Sequence, residues 1–228
     1  MKKVRRHNYI SSEKIEIFQN DVLNWYPDNG RWFPWREEGV SLYLIIMSEL
    51  LLQRTRAEVV GNFINCFIEK FPNWTVLDNT PSREVEEFIK PIGLWKRRTD
   101  SLKRLATVMV DRKGTFPTNR EEVESLPGIG QYITNAIMMF CHGIPEPLLD
   151  GGMARVLERY FGPRKLADIR YDPYLQELSK KVVSCSKPIH INWAILDIGA
   201  KYCRPKKPKC DCCPLIDKCK FSKNILVS

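Results

Sequence analysis

The sequence predicts an all-α fold. Apolar residues recur at helical spacing in nearly every segment, runs that alternate between polar and apolar residues are almost absent, and the loops are short and contain Pro or Gly. With 228 residues and 43% hydrophobic side chains, the chain can bury a substantial core in one large or two small domains. We therefore expect about ten helices in two compact lobes.

Each predicted helix carries an apolar stripe that repeats every three or four positions, which is what a helix needs to pack one face against a core. In chain order these segments are SEKIEIFQNDVLNWY (12–26), YLIIMSELLLQ (43–53), AEVVGNFINCFIEKF (57–71), VEEFI (85–89), DSLKRLATVMV (100–110), YITNAIMMF (132–140), ARVLERYF (154–161) and LQELSKKVV (175–183).

Charge and hydropathy indicate where the protein works. No apolar run approaches the ~18 residues that span a bilayer, and the N-terminal MKKVRRHNYISSEK lacks the apolar stretch of a secretory signal. Lys and Arg number 36 against 27 Asp and Glu, a formal charge of +9, which favours a polyanionic partner, although solvated lysines alone give the same excess. We expect a cytoplasmic, nucleoid-associated protein without membrane contact.

The eight cysteines are unevenly distributed. Cys66, Cys141 and Cys185 stand alone in or beside apolar segments, and we expect them to be buried as small hydrophobic residues. The other five fall within CRPKKPKCDCCPLIDKC, residues 203–219.

Four of these five have the spacing Cys-x6-Cys-x2-Cys-x5-Cys, and they are Cys203, Cys210, Cys213 and Cys219. A structural zinc site is the alternative, but such sites usually contain two Cys-x2-Cys pairs, and disulfides are rare inside cells. Four thiolates on one short loop suit a [4Fe-4S] cubane, in which each iron takes one cysteine. Cys212 has no place in this pattern.

A second motif is PTNREEVESLPGIGQYITNAIMMF, residues 117–140, which predicts a helix, a tight hairpin and a second helix. Gly128 and Gly130 let backbone N–H groups approach an anion at the start of the second helix, where the helix dipole also favours negative charge. Such a hairpin can hold a phosphate group through its backbone alone. PEPLLDGG (145–152) follows, and a looser turn, KPIGLWKRRTDSLKRL (90–105), precedes it.

The cysteine spacing resembles the [4Fe-4S] loop of the endonuclease III superfamily of DNA glycosylases, and a hairpin followed by Gly, Pro and Asp is the motif that names this helix-hairpin-helix (HhH-GPD) superfamily. RWFPWR (31–36), YLIIMSELLLQRT and INWAILDIGAKYC are similar to the mismatch-glycosylase branch, which removes adenine or thymine. The resemblance implies a two-lobed fold, with a helical domain over 39–150 that contains the hairpin and a [4Fe-4S] domain that joins 1–38 to 151–228.

Cleavage of an N-glycosidic bond places positive charge on the deoxyribose and negative charge on the leaving base, so it calls for a carboxylate near C1′ and a proton donor. Asp150 in LLDGG matches the family's catalytic aspartate, and it also stands at the N-cap of the helix MARVLERYF. Glu49 interrupts an apolar helix, where a carboxylate is costly unless it is paired or functional. The resemblance makes Glu49 the proton donor or water organiser; a core salt bridge is the alternative.

Position 132 distinguishes the branches of the family: lyase members carry a Schiff-base lysine, the adenine-removing branch usually a serine, and the G·T mismatch branch a tyrosine. Tyr132 therefore implies a catalytic site that forms no imine with the sugar, and an ordinary packed aromatic residue is the alternative. Gly152 departs from the family, which mostly has Asn there. The smaller residue leaves space for a larger, 5-substituted pyrimidine.

Several residues are predicted to contact DNA. The segment Gln53-Arg54-Thr55 matches the family's wedge, in which Arg54 would fill the gap left by a flipped base. Contacts with phosphate are expected from the hairpin and from basic residues near the two turns, namely Gly128, Gly130, Gln131, Lys96, Arg97, Arg98, Lys206 and Lys207. The expected partner is double-stranded DNA with a mispaired or modified base, bound by a monomer.

These features together predict a monofunctional DNA glycosylase that removes thymine or uracil opposite guanine. Three alternatives stay open: an adenine glycosylase for A·G-type mispairs, a glycosylase for modified pyrimidines, and an inactive DNA-binding module. The adenine branch normally carries a C-terminal domain that reads the opposite base, and this chain ends nine residues after Cys219, which favours the pyrimidine interpretation.

Overall fold

The computed structural model describes residues 10–226, with side chains up to Lys223. Residues 1–9 lie outside the described residues. They include most of the N-terminal segment for which the sequence predicts no secretory signal. The chain divides into two units. The central unit runs from Trp32 to Ile144, and the terminal unit joins the part up to Arg31 with the part from Pro145 onward. Both boundaries fall before the predicted positions 38 and 150.

The described residues form α-helices, short 3-10 turns and loops, without a β-strand. The 3-10 turns are Pro34–Arg36, Lys90–Ile92, Cys210–Cys212 and Ile216–Lys218. The helices are α1 (Ser12–Asn29), α2 (Leu42–Leu52), α3 (Ala57–Lys70), α4 (Trp74–Asn79), α5 (Ser82–Ile89), α6 (Trp95–Asp111), α7 (Arg120–Ser125), α8 (Gln131–His142), α9 (Gly151–Phe161), α10 (Pro173–Val183), α11 (Pro188–Lys201) and α12 (Lys220–Leu226).

In the central unit, α6 packs against α4 and α5, while α8 packs against α2 and α7. The long α6 is amphipathic and turns Leu102, Leu105 and Met109 into the core, where they are at most 3% exposed. Ser41 and Asn73 begin α2 and α4 by accepting backbone N–H groups of the first turn, which satisfies donors that a helix leaves unpaired.

In the terminal unit, α1 packs on α10 and α11, and α9 packs on α10, α11 and α12. Phe18 of α1 lies 4.8 Å from the ring of Tyr160 and 5.2 Å from that of Phe161, measured between ring centroids. Arg31 ends the first part of the terminal unit. Its backbone N–H and its Nε–H both donate to the buried carboxylate of Asp197 on α11 at 2.7 Å. These contacts join residues that lie far apart in the sequence.

The predicted all-helical fold is confirmed. Three helices were not among the predicted segments. The helices α4 and α12 have only six and seven residues and show too little of a helical repeat. The 14-residue α11 is buried at most positions from 191 to 199, so its apolar residues form no single stripe. Cys66 is exposed, contrary to the prediction, since Val60, Ile64 and Phe67 occupy the buried face of α3. Within the described residues, every helix is too short or too polar to cross a membrane.

Candidate functional site

The hairpin over 126–130 joins α7 to α8. Leu126 and Ile129 are buried, and the Ile129 N–H donates to the Leu126 carbonyl at 3.1 Å. Gly128 has a φ of 75°, and a Cβ there would lie 2.9 Å from the Cβ of Ser101, so both conformation and packing require glycine. Gly130 is the exposed N-cap of α8 and supplies no side-chain acceptor. The backbone around Gly130 is therefore accessible to an anion.

Glu49 and Tyr132 lie on α2 and α8, which pack against each other in the central unit. Glu49 is 2% exposed and is flanked by the buried residues Ser48 and Leu50. Tyr132, the second residue of α8, is half-buried against the central core, and Gln131 before it is also half-buried. Two of the three predicted catalytic residues thus occupy neighbouring helices of one unit.

The predicted wedge segment forms a tight turn over 52–55 at the end of α2. The Thr55 N–H donates to the Leu52 carbonyl at 3.0 Å. Gln53 has φ −55° and ψ 109°, and Arg54 has φ 60°, which are values of a type II turn. Such a turn favours glycine where Arg54 stands, because a side chain in the left-handed region costs about 1–2 kcal/mol. Gln53 and Arg54 are both exposed to solvent.

Arg98 is buried on α6, at 7% exposure. Its Nη1 donates to the carbonyls of Ile92 and Gly93 at 2.9 and 2.8 Å, and its Nη2 donates to the Gln53 carbonyl at 2.7 Å and to the Thr55 hydroxyl at 2.5 Å. Burial also lowers the pKa of Arg98. Arg98 is among the residues predicted to contact phosphate, and the structure corrects this, since both Nη atoms are bonded to protein.

The other basic residues of this segment differ in accessibility. Lys96 and Arg97 are exposed on the first turn of α6. Lys103 instead caps the C-terminal end of α4, where its Nζ donates to the carbonyls of Leu77, Asp78 and Thr80. Leu94, which is not among the predicted site residues, is 49% exposed beside the basic pair. Proteins that bind the minor groove of DNA frequently insert apolar side chains between base steps.

Asp150 is the N-cap of α9 in the terminal unit, as predicted for this helix. Its Oδ1 accepts the Met153 N–H at 2.7 Å, which fixes the carboxylate at the positive end of the helix. Asp150 is reached by water on its exposed side. The protein that surrounds the rest of its carboxyl group removes part of the hydration of the charged form. Burial therefore raises the pKa of Asp150, and the N–H groups of Met153 and Gly152 and the charge of Arg155 oppose that rise.

Gly152 lies directly beside this carboxylate. A Cβ at position 152 would lie 3.1 and 3.3 Å from the two Asp150 carboxylate oxygens. On the neighbouring α11, a Cβ at Gly199 would lie 3.3 Å from the Gly152 carbonyl oxygen. The two glycines let α9 and α11 approach closely, and Gly152 leaves one side of the Asp150 carboxylate uncovered.

The four predicted cluster ligands follow α11 on one short segment. Cys203, Cys210, Cys213 and Cys219 are all half-buried, whereas Cys212 is exposed. Arg159 of α9 connects the two ends of the segment: its Nη1 lies 3.3 Å from the Cys203 sulfur, and its carbonyl accepts the Cys219 thiol at 3.4 Å. Lys206 and Lys207 lie on the loop between the first two cysteines and are exposed.

The four thiols of this segment influence one another's ionisation. Burial raises the pKa of Cys210, and the negative charge of the Cys219 and Cys203 thiolates adds to this rise. Burial also raises the pKa of Cys213, to about 11, together with the charges of the other three thiolates. Thiols that repel one another's ionisation need cationic metal to hold them as thiolates. Among the described residues, no three or more His, Cys, Asp or Glu side chains form a group that could hold a metal ion.

Comparison with known proteins identifies the family. The model of the HhH-GPD superfamily of base excision DNA repair proteins matches residues 47–184, more than half of the chain. The chain belongs to the HhH-GPD superfamily. Glu49, the hairpin and Asp150 lie within the HhH-GPD match, and the cysteine segment follows it.

Individual HhH-GPD relatives match most of the chain. It is 33% identical over 213 residues to a thymine/uracil-DNA glycosylase of Methanothermobacter thermautotrophicus, covering 92% of this chain and 96% of that protein. An adenine DNA glycosylase of Buchnera aphidicola subsp. Schizaphis graminum is 32% identical over 210 residues, which cover 90% of this chain but 59% of that protein. A solved thermostable thymine-DNA glycosylase superposes with a TM-score of 0.85 and 32% identity, covering 93% of this chain and 98% of that one. The predicted family is confirmed.

Proposed function

We propose that this protein is a monofunctional DNA glycosylase that flips thymine or uracil, mispaired with guanine, out of duplex DNA and hydrolyses its N-glycosidic bond. The observation that carries the proposal is the setting of Asp150, a water-accessible carboxylate fixed by the Met153 N–H at the N-terminus of α9. The thymine/uracil-DNA glycosylase relative supports the choice of base, because it aligns over nearly all of both chains.

The two carboxyl groups have different tasks in this proposal. Asp150 stabilises the positive charge that develops on the deoxyribose, because a fixed carboxylate favours a cationic transition state. Glu49, buried at 2% exposure on an apolar helix, donates a proton to the leaving base or orients the attacking water. Tyr132 supplies no amine, so the base is released by hydrolysis and not through an imine between the protein and the sugar.

DNA binding in the proposal uses backbone and basic side chains. The accessible backbone at Gly128, Gly130 and Gln131 holds phosphate, and the exposed Lys96, Arg97, Lys206 and Lys207 add contacts along the strand. Gln53 and Arg54 enter the space of the flipped base. The protein acts as a monomer on double-stranded DNA.

We also propose that Cys203, Cys210, Cys213 and Cys219 hold a [4Fe-4S] cluster. The cluster, when bound, supplies a covalent cross-link of the loop, with one cysteine on each iron. This chain's own Arg159 fixes the segment beside it by donating to the carbonyls of Arg204 and Pro205 at 2.8 and 3.3 Å. Lys206 and Lys207 would then stand on a loop of fixed shape.

The test of the function is an excision assay with purified protein on duplexes that each carry one mispair or one modified base, with alkali to reveal abasic sites. We expect cleavage at thymine and uracil opposite guanine. The panel includes 5-substituted pyrimidines, because Gly152 leaves space beside Asp150. Release of adenine alone would contradict the proposed base preference, and DNA binding without any excision would favour an inactive binding module.

Tyr132 provides a prediction about the reaction type. The wild-type protein is expected to leave an intact abasic strand, and borohydride is expected to trap no covalent complex, because position 132 offers no amine. Tyr132→Ser should lower pyrimidine excision by an amount that matches the loss of one stacked aromatic ring, roughly 1 to 3 kcal/mol. Single-turnover rates and denaturing gels measure both effects. A wild-type complex trapped by borohydride, or a serine variant with the wild-type rate, would contradict this placement of Tyr132.

A further inference from the structure

We propose that Arg98 is a positioning residue for base flipping, which holds the turn over 52–55 in the one conformation that presents Gln53 and Arg54 to the duplex. The inference rests on the proposed function, since it takes this turn as the segment that enters DNA. Arg98 itself touches no substrate in this role.

Arg98 joins two turns that are distant in the sequence. Nη2 bonds the Gln53 carbonyl at 2.7 Å and the Thr55 hydroxyl at 2.5 Å, and these two acceptors flank Arg54 on either side. Nη1 bonds the carbonyls of Ile92 and Gly93, which precede α6. All four acceptors are uncharged, so Arg98 does not neutralise a carboxylate here. Its planar guanidinium instead donates several hydrogen bonds in fixed directions to two separate turns.

The turn needs such support because of Arg54. Its φ of 60° is unfavourable for a residue with a side chain, and Arg54 is exposed, so little packing opposes relaxation to an extended conformation. Relaxation would rotate the Gln53–Arg54 peptide and move both side chains. The pair of bonds from Nη2 fixes the peptide carbonyl before Arg54 and the residue after it, which prevents this rotation.

The burial of Arg98 shows that its side chain is part of the packing of α6. The residues at positions 98, 102, 105 and 109 follow a spacing of four, three and four, and all are at most 7% exposed. The stem of Arg98 therefore stands in the core stripe while its planar head reaches two separate turns. A lysine at this position has one nitrogen in place of the fork, so it can support one turn but not both.

The test compares Arg98→Lys and Arg98→Met with Arg83→Met, which removes a positive charge from a 90% exposed side chain on α5. Duplexes carry the excised mispair with 2-aminopurine beside the target base, so that its fluorescence reports flipping. At saturating protein we expect both Arg98 variants to lose most of the flipping signal and roughly 10- to 100-fold in single-turnover excision, since small misplacements have effects of this size. The Kd for unmodified duplex should stay within about twofold, because phosphate contacts are unaffected.

A merely structural role would not separate flipping from binding in this way. Arg98→Lys with normal flipping and excision would overturn the inference, and so would a loss of duplex affinity that accounts for the loss of excision, because Arg98 would then act as a phosphate contact. A wild-type protein that excises no base from the panel refutes the proposed function instead, so the two failures are distinguishable.

A second pair of variants covers the case in which Arg98 variants do not fold. Thr55→Val removes the hydroxyl that accepts from Nη2, whereas Thr55→Ser keeps it. We expect the valine variant to lose flipping signal and excision several-fold relative to the serine variant, with the same duplex Kd for both variants. Equal activity of the valine and serine variants would overturn the inference.

Discussion

Asp150→Asn is expected to bind duplex DNA as the wild type does and to lose about 100- to 1,000-fold of the excision rate. Asparagine is as good an N-cap as aspartate, so the bond from the Met153 N–H to position 150 is retained and α9 stays in place. The amide carries no charge and cannot stabilise a cationic sugar. Single-turnover excision and equilibrium binding to the same duplex separate the two effects, and a parallel loss of binding would make Asp150 structural only.

The same variant should gain stability at neutral pH. Burial raises the pKa of Asp150 in the folded state, so its stabilising contribution is complete below the pKa of the unfolded chain and disappears as the pH rises through the folded-state pKa. An asparagine side chain does not ionise, so the stability of the variant does not fall in this way as the pH rises. We expect a higher Tm than wild type at pH 7 to 8 and a difference that shrinks toward acid pH.

Asp172→Asn is the matched control, because Asp172 is also an N-cap, at the start of α10. Burial alone would raise the pKa of Asp172, but the N–H groups of Leu166, Leu175 and Lys165 outweigh it and lower the pKa. Its contribution is therefore present at neutral pH and is lost as the pH falls. This variant should lose stability at pH 7 and keep its excision rate. A Tm change of the same sign in both variants would contradict the assignment of the two environments.

Cys210→Ser is expected to lose most of its bound iron and, with it, much of its affinity for DNA. Wild-type protein should contain about four irons per chain and show the broad absorption of an iron–sulfur protein. Cys210 is half-buried at the start of a turn in which the Cys213 N–H donates to the Cys210 carbonyl at 2.9 Å. The loss of one ligand should also loosen Lys206 and Lys207, so duplex affinity should fall and its salt dependence should flatten.

Cys212→Ser is the control for this change, two residues away and exposed. It should keep the iron content, the spectrum and the duplex affinity of the wild type. Iron and zinc are measured together by elemental analysis. Stoichiometric zinc without iron would contradict the cluster, and an equal loss of iron in both variants would show that the ligand set is misassigned.

Much of the fold follows from local patterns, and its exceptions have physical causes. Apolar stripes predict the long helices other than α11, because each of them buries one face, and the N-cap role of Asp150 follows from the helix after it. Helices as short as α4 leave no repeat to detect. Cys66 appears apolar in context but lies on the exposed face of α3, since its neighbours at helical spacing take the buried one.

The candidate site is less predictable than the fold, and Arg98 shows why. Three consecutive basic residues suggest one charged patch, and Lys96 and Arg97 are indeed exposed. The helical register separates the third residue from them, because Arg98 continues the stripe of Leu102, Leu105 and Met109. That signal was available in the sequence. The partners of Arg98, by contrast, are mostly backbone carbonyls, which carry no side-chain signature and emerge only from the folded turns.

The terminal unit is built from two separate stretches of sequence, and this affects how the chain folds during synthesis. Lys201 of α11 donates to the carbonyl of Asn29 at the end of α1 across 172 positions, at 2.6 Å. A ribosome takes roughly 9 to 34 s to translate that interval. The central unit is one continuous stretch of chain and is translated within this interval. The apolar face of α1, with Phe18 and Val22, stays exposed until α10 and α11 have been translated. We expect α1 to be the segment that chaperones protect on the nascent chain.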